Sequence, residues 1–205
     1  MNGFGVEAQA LAQAGYITFV VDARGTTERG KAFQDVVYHN FGRNEIPDHV
    51  AALKQLAAQR PYMDLRRVGI TGGSWGGYFT IRAMLQAPDV YRVGVSVSPI
   101  SELDESFWPI ESYVGRPQDN KEGYEYASCL RMAGQLKGRL MMATGTDDLI
   151  YPSTLKMVEA LVRAGKPYDL LVFPDQGHGF LGASGRYWMD ALRRYFDEHL
   201  KPIHF

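Results

Sequence analysis

The sequence predicts an α/β fold: a mostly parallel sheet with helices on both faces. Three observations carry this. Short β-branched and aromatic runs alternate along the chain with longer segments of helical apolar period, the pattern of successive strand–helix–strand units. One such run, Val68-Gly69-Ile70, passes through Gly72-Gly73-Ser74-Trp75-Gly76 straight into a helix. And 45% of the 205 residues are hydrophobic, enough for a single domain, 1–205, with a full core.

The elements follow in order. Phe4, Ala8, Leu11 and Ala12 repeat at helical spacing over 4–14, and Gly15 ends that helix. Tyr16 to Val21 is a β-branched and aromatic run, expected as a buried strand. The loop after it holds Asp22-Ala23-Arg24-Gly25, where an Asp22–Arg24 ion pair is expected to organise the turn. From about 47 to 60, Val50, Leu53, Leu56 and Ala57 share one helical face, and Pro61 follows as a break. The strand 68–70 and a helix from about 76 to 86 come next, then a strand over 91–97. Residues 98–136 are irregular and aromatic, and are expected to be an insertion of short helices over the site. A strand at 139–144, a helix at 153–163 closed by Gly165, a strand at 168–173 and a helix at 185–200 complete the chain.

The stretch around Ser74 carries the chemistry. A serine at a sharp strand-to-helix turn needs small residues two before and two after it, here Gly72 and Gly76, so that strand and helix can approach. The turn lifts the hydroxyl above the sheet and aims the free N–H groups of the helix at it, where an oxyanion can be held. A serine nucleophile needs a base, and the base an orienting acid. Both occur just past later strands: Asp147-Asp148 after 139–144, and Gly177-His178-Gly179 after 168–173. His178 is the expected base. His39, His49, His199 and His204 are badly placed for that role. Spacing barely separates Asp147 from Asp148, and one of the two is expected to be a loop-capping carboxylate.

At this point a resemblance is plain. Val21-Asp22-Ala23-Arg24-Gly25, Gly72-Gly73-Ser74-Trp75-Gly76-Gly77-Tyr78, Ser98-Pro99-Ile100, Gly145-Thr146-Asp147-Asp148-Leu149-Ile150 and Gly177-His178-Gly179 occur together and in order. They resemble the catalytic domain of prolyl oligopeptidase family serine peptidases, especially the dipeptidyl-peptidase-like and acylaminoacyl-peptidase-like branches. The resemblance implies an α/β-hydrolase fold and a catalytic triad of Ser74, Asp147 and His178, with the triad acid falling on the first aspartate. It also implies an acyl-enzyme mechanism, with the Trp75 N–H in the oxyanion hole.

Three departures qualify it. The family carries a β-propeller ahead of this domain, and none is present here. The family's first oxyanion donor, a tyrosine, lies after the fold's third strand, and this chain begins within or just before the helix that follows. A substitute donor could come from the Asn2–Gly5 backbone, from Arg24 or from a partner chain. The same gap opens the sheet between 16–21 and 68–70. Either 16–21 shifts to pair with 68–70, or another subunit covers the edge, or the sequence is a piece of a longer one. A homo-oligomer covering the incomplete sheet is the expectation. The third departure is Leu149, where relatives often hold a substrate carbonyl with a polar or basic side chain. The expected pocket walls are Ile100, Leu103, Phe107, Trp108 and Ile150.

An apolar pocket of this kind suits small esters at least as well as short peptides. The expected activity is serine hydrolysis of peptide or ester bonds. A carboxylesterase and an inactive fragment with an incomplete oxyanion hole are the alternatives. A net charge of −1 with both signs scattered points away from nucleic acid and anionic membranes. One cysteine, Cys129, leaves no disulfide framework and no thiolate cluster, and it is expected to be a small apolar filler. No metal or other cofactor is expected. No signal peptide or membrane span is legible, so a cytoplasmic protein is expected.

Overall fold

The computed structural model describes residues 5–103 and 110–200. Helix α1 (Val6–Gln13) ends at Gly15, whose φ of +94° lets the chain reverse. Then come α2 (Lys31–Gln34), a 3₁₀ turn at Asp35–Val37, and α3 (Glu45–Ala58). Strand β1 (Val68–Gly73) runs into α4 (Trp75–Gln86), followed by β2 (Tyr91–Val97). The segment after it holds α5 (Glu111–Val114), α6 (Lys121–Ala127) and a 3₁₀ turn at Leu130–Gln135, the short helices the sequence predicts. Strand β3 (Arg139–Gly145), α7 (Tyr151–Arg163), β4 (Asp169–Phe173) and α8 (Gly182–Leu200) close the chain.

The four strands form one parallel sheet in the order β1-β2-β3-β4. Side chains alternate across it, as a two-residue period demands. Along β3, Leu140 and Met142 face one core with Ile81, Met84, Met157 and Leu161. Met141 and Ala143 face the other, with Trp188, Leu192 and Phe196 of α8. The sheet is thus buried between α3, α4 and α7 on one side and α1 and α8 on the other. Gly69 shows how closely α8 lies: a Cβ there would stand 2.8 Å from Leu200 Cδ1.

The segment after β2 is pinned to α4 by polar bonds. Tyr78 Oη donates to the Ala127 carbonyl at 3.0 Å. The fully buried Arg82 donates Nη1 to the Tyr126 carbonyl at 2.6 Å and Nε to Gln86 Oε1 at 3.0 Å. Its guanidinium also lies 4.6 Å from the centre of the Tyr126 ring, and Arg43 lies 4.0 Å from the same ring. Cys129 is fully buried, and burial pushes its thiol up to about 12, so it is an inert filler.

The run 16–21 departs from expectation. It has strand composition but joins no ladder, so the shift into pairing with β1 does not occur. Its ends are held elsewhere. The Tyr16 ring packs on Phe196 and its hydroxyl donates to Asp197 on α8 at 2.8 Å. The Val21 carbonyl meets the His49 ring on α3. Between those ends Ile17, Phe19 and Val20 stay exposed. Among the described residues, β1 is paired on one side only. The ion pair expected within Asp22–Arg24 is also exchanged for others. Asp22 takes Arg29 at 3.1 Å, and Arg24 grips Asp48 of α3 with a shortest contact of 2.7 Å.

Candidate active site

Ser74 links β1 to α4 with φ +59° and ψ −117°, a backbone state that costs energy for a residue with a Cβ. Its N–H donates to the Val97 carbonyl at 2.9 Å, so the turn is fixed to the end of β2. A Cβ on Gly72 would stand 2.7 Å from the Gly76 backbone, which bears out the need for glycine two residues before the serine. On the other side the requirement falls one residue later than expected. A Cβ on Gly76 meets open space, whereas one on Gly77 would stand 2.6 Å from the Val97 carbonyl oxygen. The N–H groups of Trp75, Gly76 and Gly77 begin α4 and have no carbonyl within the helix to bond. They and the helix dipole face the space above Ser74.

His178 stands in the loop between β4 and α8, with its side chain 51% exposed. Its Nδ1 lies 3.0 Å from Asp148 Oδ2 and 3.2 Å from Oδ1. The carboxylate on the ring is that of Asp148, and not that of Asp147, the residue the resemblance points to. The reason is local. The Asp147 N–H donates to the Gln176 carbonyl at 3.0 Å, which turns its side chain outward. There the carboxylate accepts only from the neighbouring Thr146 hydroxyl, at 3.1 Å, among the described residues. The next residue turns inward. The Asp148 side chain is 1% exposed and also accepts from the Ile150 N–H at 3.0 Å. Asp148 thus does both jobs that the sequence divides between two residues, capping the loop and holding the histidine. Burial alone would raise its carboxyl, but the donors facing it, the Ile150 N–H and His178 among them, hold it below the usual carboxylate range. Among the described residues no hydrogen bond joins Ser74 to His178. Catalytic bonds of this kind are commonly long without substrate and tighten when it binds.

The other expected site residues divide. Ile100 and Leu103 are buried in the core on the α4 side, with Ile150 packed at its edge. Phe107 and Trp108 lie outside the described residues. Leu149 is 97% exposed. Arg24, one candidate for the second oxyanion donor, is committed to Asp48 through both Nε and Nη2.

What the sequence did not signal is an aromatic-walled cavity of about 290 Å³ beside Trp75, Phe79, Phe41 and Tyr113. Residues 21–26 line it too, with Glu45 and His49 of α3. Glu45 is buried, and burial raises its carboxyl despite N–H donors from Gly42 and Asn44. Among the described residues no group of three or more His, Cys, Asp or Glu is placed to hold a metal ion. No described helix is long and apolar enough to cross a membrane.

Comparison with known proteins places the chain in a family. The family model described as the prolyl oligopeptidase family matches residues 2–202. Dipeptidyl peptidase 8 of Mus musculus is 35% identical over 199 residues, covering 93% of this chain and 22% of its own length. The Homo sapiens dipeptidyl peptidase 8 is 34% identical over the same length. The crystal structure of Porphyromonas gingivalis dipeptidyl peptidase 4 superposes with a TM-score of 0.82 at 29% identity, over 87% of this chain and 26% of that one. The chain therefore spans about a quarter or less of the relatives it matches. A parallel sheet with the serine at its first strand–helix turn, and a match over nearly every residue, lead to one assignment: this chain belongs to the prolyl oligopeptidase family.

Proposed function

We propose that the chain is the catalytic part of a serine hydrolase that cleaves acyl bonds, peptides first, through Ser74, His178 and Asp148. The observation that carries the reading is the Asp148–His178 pair, built on a buried carboxylate and set at the same sheet edge as the strained Ser74. Ser74 Oγ attacks the substrate carbonyl while His178 Nε2 takes its proton. The oxyanion forms against the Trp75 N–H. His178 then passes that proton to the leaving amine or alcohol as the acyl bond breaks. Water, deprotonated by the same nitrogen, releases the acid and frees Ser74. Asp148 holds Nδ1–H and stabilises the imidazolium in both halves. The cavity beside Trp75 offers room for an apolar acyl or side-chain group.

The relatives' names favour peptides, since those proteins are dipeptidyl peptidases. Small esters are a second reading, favoured by the half-exposed His178 and by a single identified oxyanion donor. An ester leaving group asks less of both. A panel of p-nitrophenyl butyrate and dipeptidyl p-nitroanilides separates them. Cleavage of the anilides supports the peptidase reading, cleavage of the ester alone supports the esterase, and cleavage of neither contradicts both.

We also propose that a second copy of the chain covers the open edge of β1. The support is the β1 edge, which pairs with no strand among the described residues, together with the exposed Ile17, Phe19 and Val20, features that invite association. Light scattering at micromolar concentration is expected to give a dimer or larger species, and a monodisperse monomer contradicts this.

A further inference from the structure

The cavity beside Trp75 is lined by two kinds of group. One is aromatic. Phe41, Trp75, Phe79 and Tyr113 all reach it, and the Phe41 ring centre lies 5.3 Å from that of Trp75, 5.4 Å from Phe79 and 5.9 Å from Tyr113. Trp75 directly follows Ser74, so the cavity adjoins the nucleophile. The other kind is polar. Glu45 and His49 lie four residues apart on α3, a spacing that puts both on one helix face. Glu45 is only 6% exposed. Its Oε1 accepts from the Gly42 N–H at 3.1 Å and its Oε2 from the Asn44 N–H at 3.0 Å. A carboxylate has about four acceptor sites, so about two remain. Burial holds the His49 imidazole toward its neutral form, which adds no positive charge. Among the described residues, Arg24 is the one cation lining the cavity, and it is committed to Asp48 through Nε at 2.8 Å and Nη2 at 2.7 Å. Asp22, the other acid there, is paired with Arg29 at 3.1 Å. Arg82, whose charge also reaches Glu45, does not line the cavity and donates to the Tyr126 carbonyl and to Gln86.

We propose that this cavity is a substrate subsite for an alkylammonium side chain, with the cationic head at Glu45 and the methylene stem against the rings of Phe41, Trp75 and Phe79. Three arguments favour a cation over a neutral apolar group. Burial raises the Glu45 carboxyl, so its charge is held at a cost that a cation beside it lowers. Aromatic rings attract an ammonium group through their quadrupole. And a neutral apolar occupant would cover the remaining acceptor sites of Glu45 without satisfying them. The volume, about 290 Å³, suits one side chain rather than a folded segment, since ligand pockets begin at about 300 Å³.

The inference rests on the hydrolase reading in assigning a part of the substrate, but its first test needs no turnover. The wild-type chain is titrated with n-pentylammonium chloride and, separately, with n-pentanol at matched ionic strength. The Trp75 indole N–H resonance, assigned with Trp75→Phe, is followed by NMR. Pentylammonium is expected to bind at least about tenfold more tightly than pentanol. Glu45→Gln keeps an oxygen for the 42–44 turn and should bring the two affinities within about twofold of each other. Equal affinities in wild type, tighter binding of pentanol, or no response to pentylammonium overturns the proposal, whether or not the variant folds. A folded Glu45→Gln that keeps the tenfold preference also overturns it. For dipeptidyl p-nitroanilides, lysine in place of norleucine at one of the two residues is expected to raise kcat/KM about tenfold, and equal values at both residues overturn the subsite. Hydrolysis of p-nitrophenyl butyrate by a chain that does not bind pentylammonium overturns the subsite alone. Binding of pentylammonium by a chain that cleaves neither ester nor anilide overturns the hydrolase reading and upholds the ammonium site.

Discussion

Replacing Asp148 by asparagine should lower kcat by about four orders of magnitude, while Asp147→Asn should change it by no more than about twofold. The asymmetry follows from the geometry. Asparagine fits the space of the buried carboxylate and can still accept the Ile150 N–H, so the fold should survive. It can also present an N–H to His178 Nδ1. That favours the tautomer with the proton on Nε2, which cannot take the proton of Ser74. Asp147, turned outward by its N–H bond to Gln176, contacts only Thr146 among the described residues and has no such leverage. Steady-state kinetics of the two variants on one ester substrate check this. Equal losses in both, or a larger loss in Asp147→Asn, would mean that the acid switches in solution.

The second large effect is expected at Gly145, the last residue of β3. A Cβ there would fall on the Gln176 carbonyl and within 2.6 Å of the Gly177 carbonyl oxygen. These are backbone atoms, so no rotamer change relieves the clash. The same place holds the two loops of the site together, with the Thr146 N–H on the Phe173 carbonyl and the Asp147 N–H on the Gln176 carbonyl, each at 3.0 Å. Gly145→Ala must therefore push the His178 loop away from Asp148. Overpacking of this kind costs about 1–3 kcal/mol of stability, and displacement of a catalytic group by about 1 Å costs on the order of 100-fold in rate. Urea unfolding and kcat, the latter measured where the variant is fully folded, report the two effects separately. An unchanged kcat would show that the loops move together.

What was legible in the sequence was local. Val68-Gly69-Ile70 followed by Gly72-Gly73-Ser74 marks its own turn, because Gly72 answers a contact with Gly76, four residues on. Tyr91 to Val97 forms a strand over the expected residues because its neighbours on both sides are strands of equal clarity. What was not legible depends on distant partners. Tyr16 to Val21 has the composition of a strand, but a strand needs an adjacent edge, and Asp197, Phe196 and His49 hold this run away from one. The choice between Asp147 and Asp148 is set by the Gln176 carbonyl, nearly thirty residues on, which no spacing rule within Gly145–Ile150 contains. The Asp148-x-Ile150 turn, with the carboxylate on its own i+2 N–H, is the one local sign that the second aspartate faces inward.

If Ser74 becomes a nucleophile in this chain as it stands, a fluorophosphonate should label it, as read by intact mass and peptide mapping. The expected result is one phosphonyl group per chain, on the peptide containing Ser74, absent in Ser74→Ala and strongly slowed in His178→Ala. A folded wild-type chain that takes up no label, or a Ser74→Ala chain that still does, would contradict it.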